Sequence, residues 1–175
     1  MIKIGAPAPA FSGITAYQAG EFVKVSLADY AGKWAVLFFY PRDFTFICPT
    51  EIREFARLQS AFTECGCAVV GASTDSEYSH KAWFERDLPE VAFPILADTA
   101  HSVSAAYDVL GADGASQRGT FIIDPDGVVR WAVVSDNSVG RSVGETVRAL
   151  KALQTGALCP VEWEPGQEFV GGSKK

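Results

Sequence analysis

The chain has 175 residues, 48% of them hydrophobic, with 15 basic against 21 acidic side chains and a formal net charge of −6. That length predicts a single domain, residues 1–175, whose core needs no disulfide staples, and the acidic balance excludes a nucleic-acid surface, with the locally basic stretches 141–151 and Lys174-Lys175 read as solvated faces. No segment reaches the ~18 apolar residues of a membrane span, and Met1-Ile2-Lys3-Ile4-Gly5-Ala6-Pro7 lacks the apolar centre of a signal peptide, so a cytoplasmic location is expected.

In chain order, Phe11, Ile14 and Tyr17 before Gly20, and Phe22-Val23-Lys24-Val25 after it, predict a short hairpin. Trp34 to Tyr40 is a continuous apolar run of strand length, as in a central strand buried on both faces. A polar loop follows, and from about Cys48 the period becomes helical, with Ile52, Phe55, Leu58 and Phe62 on one stripe and a stop near Gly66. Cys67 to Ser73 reads as the next buried strand, and Ser76 to Asp87 as a helix ending before Pro89. Pro94 to Ala97 is a short strand and His101 to Tyr107 a short helix. Thr120 to Ile123 and Val128 to Val133 flank Asp124-Pro125-Asp126-Gly127, whose proline and glycine suit a type I turn. Ser142-Val143-Gly144-Glu145 is a capping box before a helix striped by Val143, Val147, Leu150 and Leu153, which Gly156 ends. The order of elements fits an α/β, thioredoxin-like three-layer sandwich with an N-terminal β-hairpin and a C-terminal tail, 156–175.

Four cysteines in a cytoplasmic chain point to redox chemistry or a metal. The spacing disfavours the metal: Cys48 and Cys159 are isolated, and Cys65-Gly66-Cys67 leaves one residue between sulfurs with no histidine nearby. No metal and no cofactor are therefore expected. Cys48 lies where a strand-like run gives way to a helix, and the unpaired amides of a first helical turn favour an anionic sulfur. Cys65 and Cys67, at a helix end and a strand start, read as packing residues; His80 and His101 read as surface or helix-terminal residues, and Trp83 as core filler.

Pro41, Thr45 and Cys48 reproduce the P-x-x-x-T-x-x-C pattern of peroxiredoxins, within the string Phe44-Thr45-Phe46-Ile47-Cys48-Pro49-Thr50-Glu51. Arg118 to Pro125 resembles that family's second active-site segment, and Leu158-Cys159-Pro160-Val161-Glu162-Trp163 its resolving-cysteine segment. The chain is similar to the typical 2-Cys class, and most to bacterial alkyl hydroperoxide reductase C subunits, from about Gly5 to Gly166.

This resemblance implies a thiol peroxidase for hydrogen peroxide and organic hydroperoxides. It places Pro41, Thr45, Cys48, Glu51 and Arg118 in the active site, with Trp83 at its border: Arg118 to favour the thiolate and the leaving oxygen, Thr45 to accept from the peroxide, Pro41 to shield the sulfur, and Glu51 to orient Arg118. Ionising a free cysteine raises its thiolate fraction at most about thirtyfold. A Brønsted slope of about 0.4–0.5 takes part of that back, so positioning of the peroxide must supply the larger share. The Cys48 sulfenic acid would condense with Cys159, a step for which spacing leaves bridges within or between chains open. The resemblance implies Cys159 of a partner subunit in a homodimer, with dimers often assembled into a decamer, a ring of five. It also implies recycling by an external dithiol reductant, thioredoxin-like or a flavoprotein reductase.

The chain departs from members that over-oxidise easily, which carry a Gly-Gly-Leu-Gly loop and a C-terminal Tyr-Phe helix: Leu88 to Phe93 holds no glycine, and the tail runs to Gly171-Gly172-Ser173-Lys174-Lys175. Two other functions compete with the peroxidase reading. A thioredoxin-like disulfide reductase lacks its second cysteine in Cys48-Pro49-Thr50-Glu51, and a chaperone-like or redox-sensing assembly would react with peroxide once or not at all.

Overall fold

The computed structural model describes residues 2–171; Met1 and residues 172–175, with the basic pair Lys174-Lys175 and the end of the expected tail, lie outside the described residues. Seven strands, β1 (Ile14–Gln18), β2 (Glu21–Val25), β3 (Trp34–Phe39), β4 (Cys67–Ser73), β5 (Ile95–Ala97), β6 (Arg118–Ile123) and β7 (Val129–Ser135), form one sheet in the order β2-β1-β5-β4-β3-β6-β7. β3, β4 and β5 run parallel, and the flanking pairs are antiparallel. Parallel neighbours need long crossovers, supplied by α1 (Cys48–Arg57) and α2 (Gln59–Glu64) between β3 and β4, and by α3 (Glu77–Asp87) between β4 and β5. α4 (Ser102–Ala106) and α5 (Val143–Thr155) complete the helices.

Alternation along β3 builds both cores. Val36, Phe38 and Tyr40 face α1, α2, α3 and α5, whereas Ala35, Leu37 and Phe39 face α4 and the N-terminal segment. The result is the three-layer α/β sandwich expected from the order of elements. Phe38 stacks on Phe55 of α1 at 4.1 Å, and the absence of a side chain at Gly71 makes room for it, since a Cβ there would lie 2.9 Å from the Phe38 ring and 2.6 Å from Ile95.

The single helix predicted from Cys48 to Gly66 is two, interrupted at Leu58. A 3₁₀ turn at Leu27–Tyr30, closed by a Ser26/Asp29 capping box, has no counterpart in the sequence reading. Half of the predicted box at Ser142 forms: its hydroxyl accepts from the Glu145 amide, while the Glu145 carboxylate turns to Arg148. Gly156 ends α5 at φ 65°, in the left-handed region glycine adopts freely. No described helix is long and apolar enough to cross a membrane.

Candidate active site

Cys48 is the first residue of α1 and is fully buried. Pro49 has no amide hydrogen, and the amides of Thr50 and Glu51 both bond back to the Ile47 carbonyl, at 3.0 and 3.3 Å. Of the whole turn of unpaired amides expected from the sequence, only the amide of Cys48 itself is left as a backbone donor at the helix mouth, and the main positive group comes from elsewhere. Arg118, at the start of β6, points its Nη1 at the Cys48 sulfur, 3.6 Å away.

Arg118 is held on two sides, its Nη1 donating to Glu51 Oε2 at 2.7 Å and its Nε to the Asn137 carbonyl at 3.0 Å. Glu51 thus sits where an orienting carboxylate must. It has a second cationic partner that sequence reasoning missed. Arg141 donates to Glu51 through its backbone amide at 2.8 Å, Nε at 2.9 Å and Nη2 at 2.9 Å, and through Nη1 to the Gly119 carbonyl and Thr120 hydroxyl. Its side chain is 3% exposed, so the reading of 141–151 as a solvated face is wrong at its first residue. Burial pushes the Glu51 carboxyl up, but the bonds and charge of Arg141, with Arg118 behind them, outweigh this and hold it below the ordinary range. The cluster is two guanidinium groups on one carboxylate, which leaves a net positive charge beside the Cys48 sulfur.

The loop between β3 and α1 is anchored from beneath. Asp43 Oδ1 accepts from the Tyr40 hydroxyl at 2.8 Å, and Oδ2 from the Ser79 hydroxyl at 2.7 Å. His80 Nδ1 lies 2.8 Å from Asp43 Oδ2, and its Nε2 3.2 Å from the Leu96 carbonyl. His80 is completely buried, which corrects its reading as a surface or helix-terminal residue; Phe84 of its own helix packs on the ring, while Tyr40, Asp43 and Leu96 reach it from other elements and leave no local pattern. His101 does cap α4. Burial, then the Asp43 carboxylate, push the Tyr40 phenol well above its usual range, so it remains a donor. Above this network Pro41 is buried and Thr45 exposed. The Thr45 hydroxyl donates to the Arg42 carbonyl at 2.9 Å, which leaves its oxygen free to accept. Trp83 is both core and neighbour, packed on Tyr40 and on Phe44.

Cys159 follows α5, half-buried, with its sulfur 3.4 Å from the Thr155 hydroxyl and 3.8 Å from the Ala152 carbonyl. The Thr155 hydrogen goes to Ala152 at 2.7 Å, so its oxygen faces the thiol as an acceptor. A cavity of about 430 Å³ opens beside Cys159 between Trp131, Arg148 and Leu153. Trp163 anchors the segment, nearly fully buried, its carbonyl bound by Arg148 and its ring stacked on Phe169. All four cysteines are free thiols. Burial pushes Cys65 up, and raises Cys67 to about 12, in keeping with packing residues.

A thioredoxin-like sheet carrying a cysteine at a helix start, under an arginine from the neighbouring strand, defines a thiol-based oxidoreductase class. Residues 4–132 match the model of the AhpC/TSA family, and the chain belongs to that family: it is an enzyme of the peroxiredoxin class, an antioxidant peroxidase. It is 45% identical over 172 residues to a putative peroxiredoxin in the rubredoxin operon of Clostridium pasteurianum, covering 94% of this chain and 97% of that one. It is 47% identical over 178 residues to a thioredoxin peroxidase of Trypanosoma brucei rhodesiense, covering 96% and 89%. Among solved structures, the reduced 2-Cys peroxiredoxin of Plasmodium vivax matches with a TM-score of 0.91 at 34% identity, over 95% of this chain and 91% of that one. Mycobacterium tuberculosis AhpC matches at 0.85 and 38% identity, over 94% and 99%.

Proposed function

We propose that Cys48 is the peroxidatic thiol and Cys159 of a partner subunit the resolving thiol of a 2-Cys peroxidase. The Cys48 thiolate attacks the terminal peroxide oxygen, the O–O bond breaks, and the leaving alkoxide or hydroxide takes a proton, so sulfur is oxidised to sulfenic acid as the peroxide is reduced to alcohol or water. Arg118 and the Cys48 amide face the leaving oxygen as its charge builds, and Thr45 accepts from the bound peroxide. Cys159 then displaces water from the sulfenic acid, and an external dithiol protein reduces the disulfide, itself becoming oxidised. The names of the relatives favour thioredoxin as that dithiol, with a flavoprotein reductase the other choice.

The observation that carries this reading is the guanidinium of Arg118 aimed at the buried Cys48 sulfur and locked there by Glu51. Resolution between subunits follows the resemblance to the typical 2-Cys class; the hydrogen bonds of Cys159 stay within its own segment, and a homodimer, alone or in a ring of five, would bring a partner's Cys159 to Cys48. We also read residues 1–175 as one domain with 156–175 its tail, acting in the cytoplasm. The test is Cys48→Ser, which is expected to remove dithiol-dependent peroxide turnover while preserving the circular dichroism spectrum. A serine variant that still turns over peroxide would reject the assignment of Cys48.

A further inference from the structure

Of the five described non-glycine residues with positive φ, Phe44, at 56°, carries the largest side chain. An aromatic residue in that region is a genuine outlier and persists only where its surroundings over-determine it. It stands between Asp43, fixed by the Tyr40, Ser79 and His80 network, and Thr45, four positions before Cys48. Its ring is half-exposed yet gripped on two sides. Trp83 lies 5.8 Å away in a tilted contact, and the Arg86 guanidinium carbon sits 4.9 Å from the ring centroid. Trp83 and Arg86 are three apart on α3, hence on one face, and Asp87 holds the Arg86 fork through two bonds of 2.9 and 2.6 Å.

We propose that Arg86 is a positioning residue for the peroxidase reaction. It closes over Phe44 and holds the left-handed turn that delivers Thr45 and the Cys48 turn to the site. This rests on the assignment of Cys48 as the peroxidatic thiol. When the loop opens, Phe44 relaxes to an ordinary backbone and loses the contacts with Trp83 and Arg86. Strain relief and lost contacts oppose each other, so the loop is poised, and removing one cation shifts its population measurably. An exposed cation over an aromatic ring is worth about two- to fivefold in such an equilibrium. Peroxide reacts with the closed loop and Cys159 with the open one. Loosening the clamp therefore slows attack by peroxide, including the second attack that makes sulfinic acid, and favours the disulfide.

Amide hydrogen exchange over 44–50 in the reduced protein reads the opening without any chemistry. Arg86→Gln is expected to speed that exchange two- to fivefold and Arg86→Lys to return most of it. In a Phe44→Leu background Arg86→Gln should add nothing. Turnover with dithiol at rising hydrogen peroxide should then require two- to fivefold more peroxide to convert half of Cys48 to sulfinic acid in Arg86→Gln. Unchanged exchange, full additivity with Phe44→Leu, or faster exchange with an unmoved over-oxidation midpoint would each overturn the proposal. A wild-type Cys48 that peroxide never oxidises would instead reject the peroxidatic assignment, while the exchange data would still judge the clamp.

Discussion

Cys48 and Cys159 stand at opposite ends of helices. The sulfur of Cys48, at the start of α1, meets a guanidinium donor from residue 118, itself set by carboxylate and carbonyl groups from residues 51 and 137. The sulfur of Cys159, just past the end of α5, meets a hydroxyl oxygen and a carbonyl oxygen from within seven residues of itself. The first environment exists only when distant strands and loops have come together; the second is local, and its cysteine can leave without disturbing the sheet. The difference fits the division of labour proposed above, in which one sulfur is held for a small substrate while its loop is closed and the other, travelling with its own segment, meets it once that loop opens.

Removing the travelling sulfur should have the largest effect. Cys159→Ser is expected to consume about one peroxide per chain and then stop with the physiological dithiol, because the first attack needs only Cys48. Oxidised wild type should run as a covalent dimer on a non-reducing gel, and this variant should not. A monomeric oxidised wild type with an internal bridge would break the comparison, since Cys159 would then reach Cys48 of its own chain.

Next comes the donor. Arg118→Ala is expected to slow single-turnover oxidation of Cys48 by about two orders of magnitude, the usual cost of losing one preorganised donor to a developing oxyanion. Glu51 keeps Arg141 in this variant, so the fold should hold. Peroxide attack within a few-fold of wild type would move the catalytic weight from Arg118 to the Cys48 amide and Thr45.

Glu51→Gln tests the cluster as structure. It leaves two buried guanidinium groups facing a neutral amide, a change expected to cost about 3 kcal/mol in denaturant unfolding at pH 7. The folded carboxyl is held below its ordinary range, so its stabilisation is fully present above pH ~4.3 and is lost as pH falls from there through the lowered folded value. The wild type should therefore lose more stability than Glu51→Gln between pH 5 and 3. Equal acid sensitivity of the two proteins would mean that Glu51 is not the charge the arginines require.

The fold was legible because its signals are local. The apolar run Trp34 to Tyr40, the helical stripe after Cys48, the Asp124 to Gly127 turn and the Ser142 and Gly156 caps each sit within a few residues of one another. Of the residues expected at the site, Cys48, Glu51 and Arg118 come together in the structure, while Pro41 and Thr45 share the loop that leads into α1. Arg141 and His80 were not legible. Arg141 stands two residues before the amphipathic helix α5, at the head of a locally basic stretch, and only the approach of the β7–α5 loop to α1 pairs it with Glu51, 90 positions away. His80 lies in a polar run on α3, and it is Asp43 and Leu96 that give it buried partners.

The smallest effects are expected at the two remaining cysteines, which extend the comparison to thiols with neither a guanidinium partner nor freedom to travel. Cys67 lies in the core among Trp34, Val36 and Phe62, with its thiol raised to about 12, so it is un-ionised at any pH where the enzyme works. Cys65 caps α2, and burial raises it as well, against the opposing charge of Lys151. Cys65→Ser and Cys67→Ser should both retain turnover within about twofold. Their stabilities should diverge, because a serine hydroxyl at the buried site, on a shorter bond than the sulfur that reaches the Ala68 carbonyl at 3.5 Å, falls short of that acceptor and costs about 1–2 kcal/mol, whereas the half-exposed site changes by less than about 0.5 kcal/mol. Steady-state rates and urea midpoints read the two effects separately. If either substitution blocked the covalent dimer at unchanged stability, that cysteine would belong to the exchange pathway, and the contrast between Cys48 and Cys159 would have to include a relay between them.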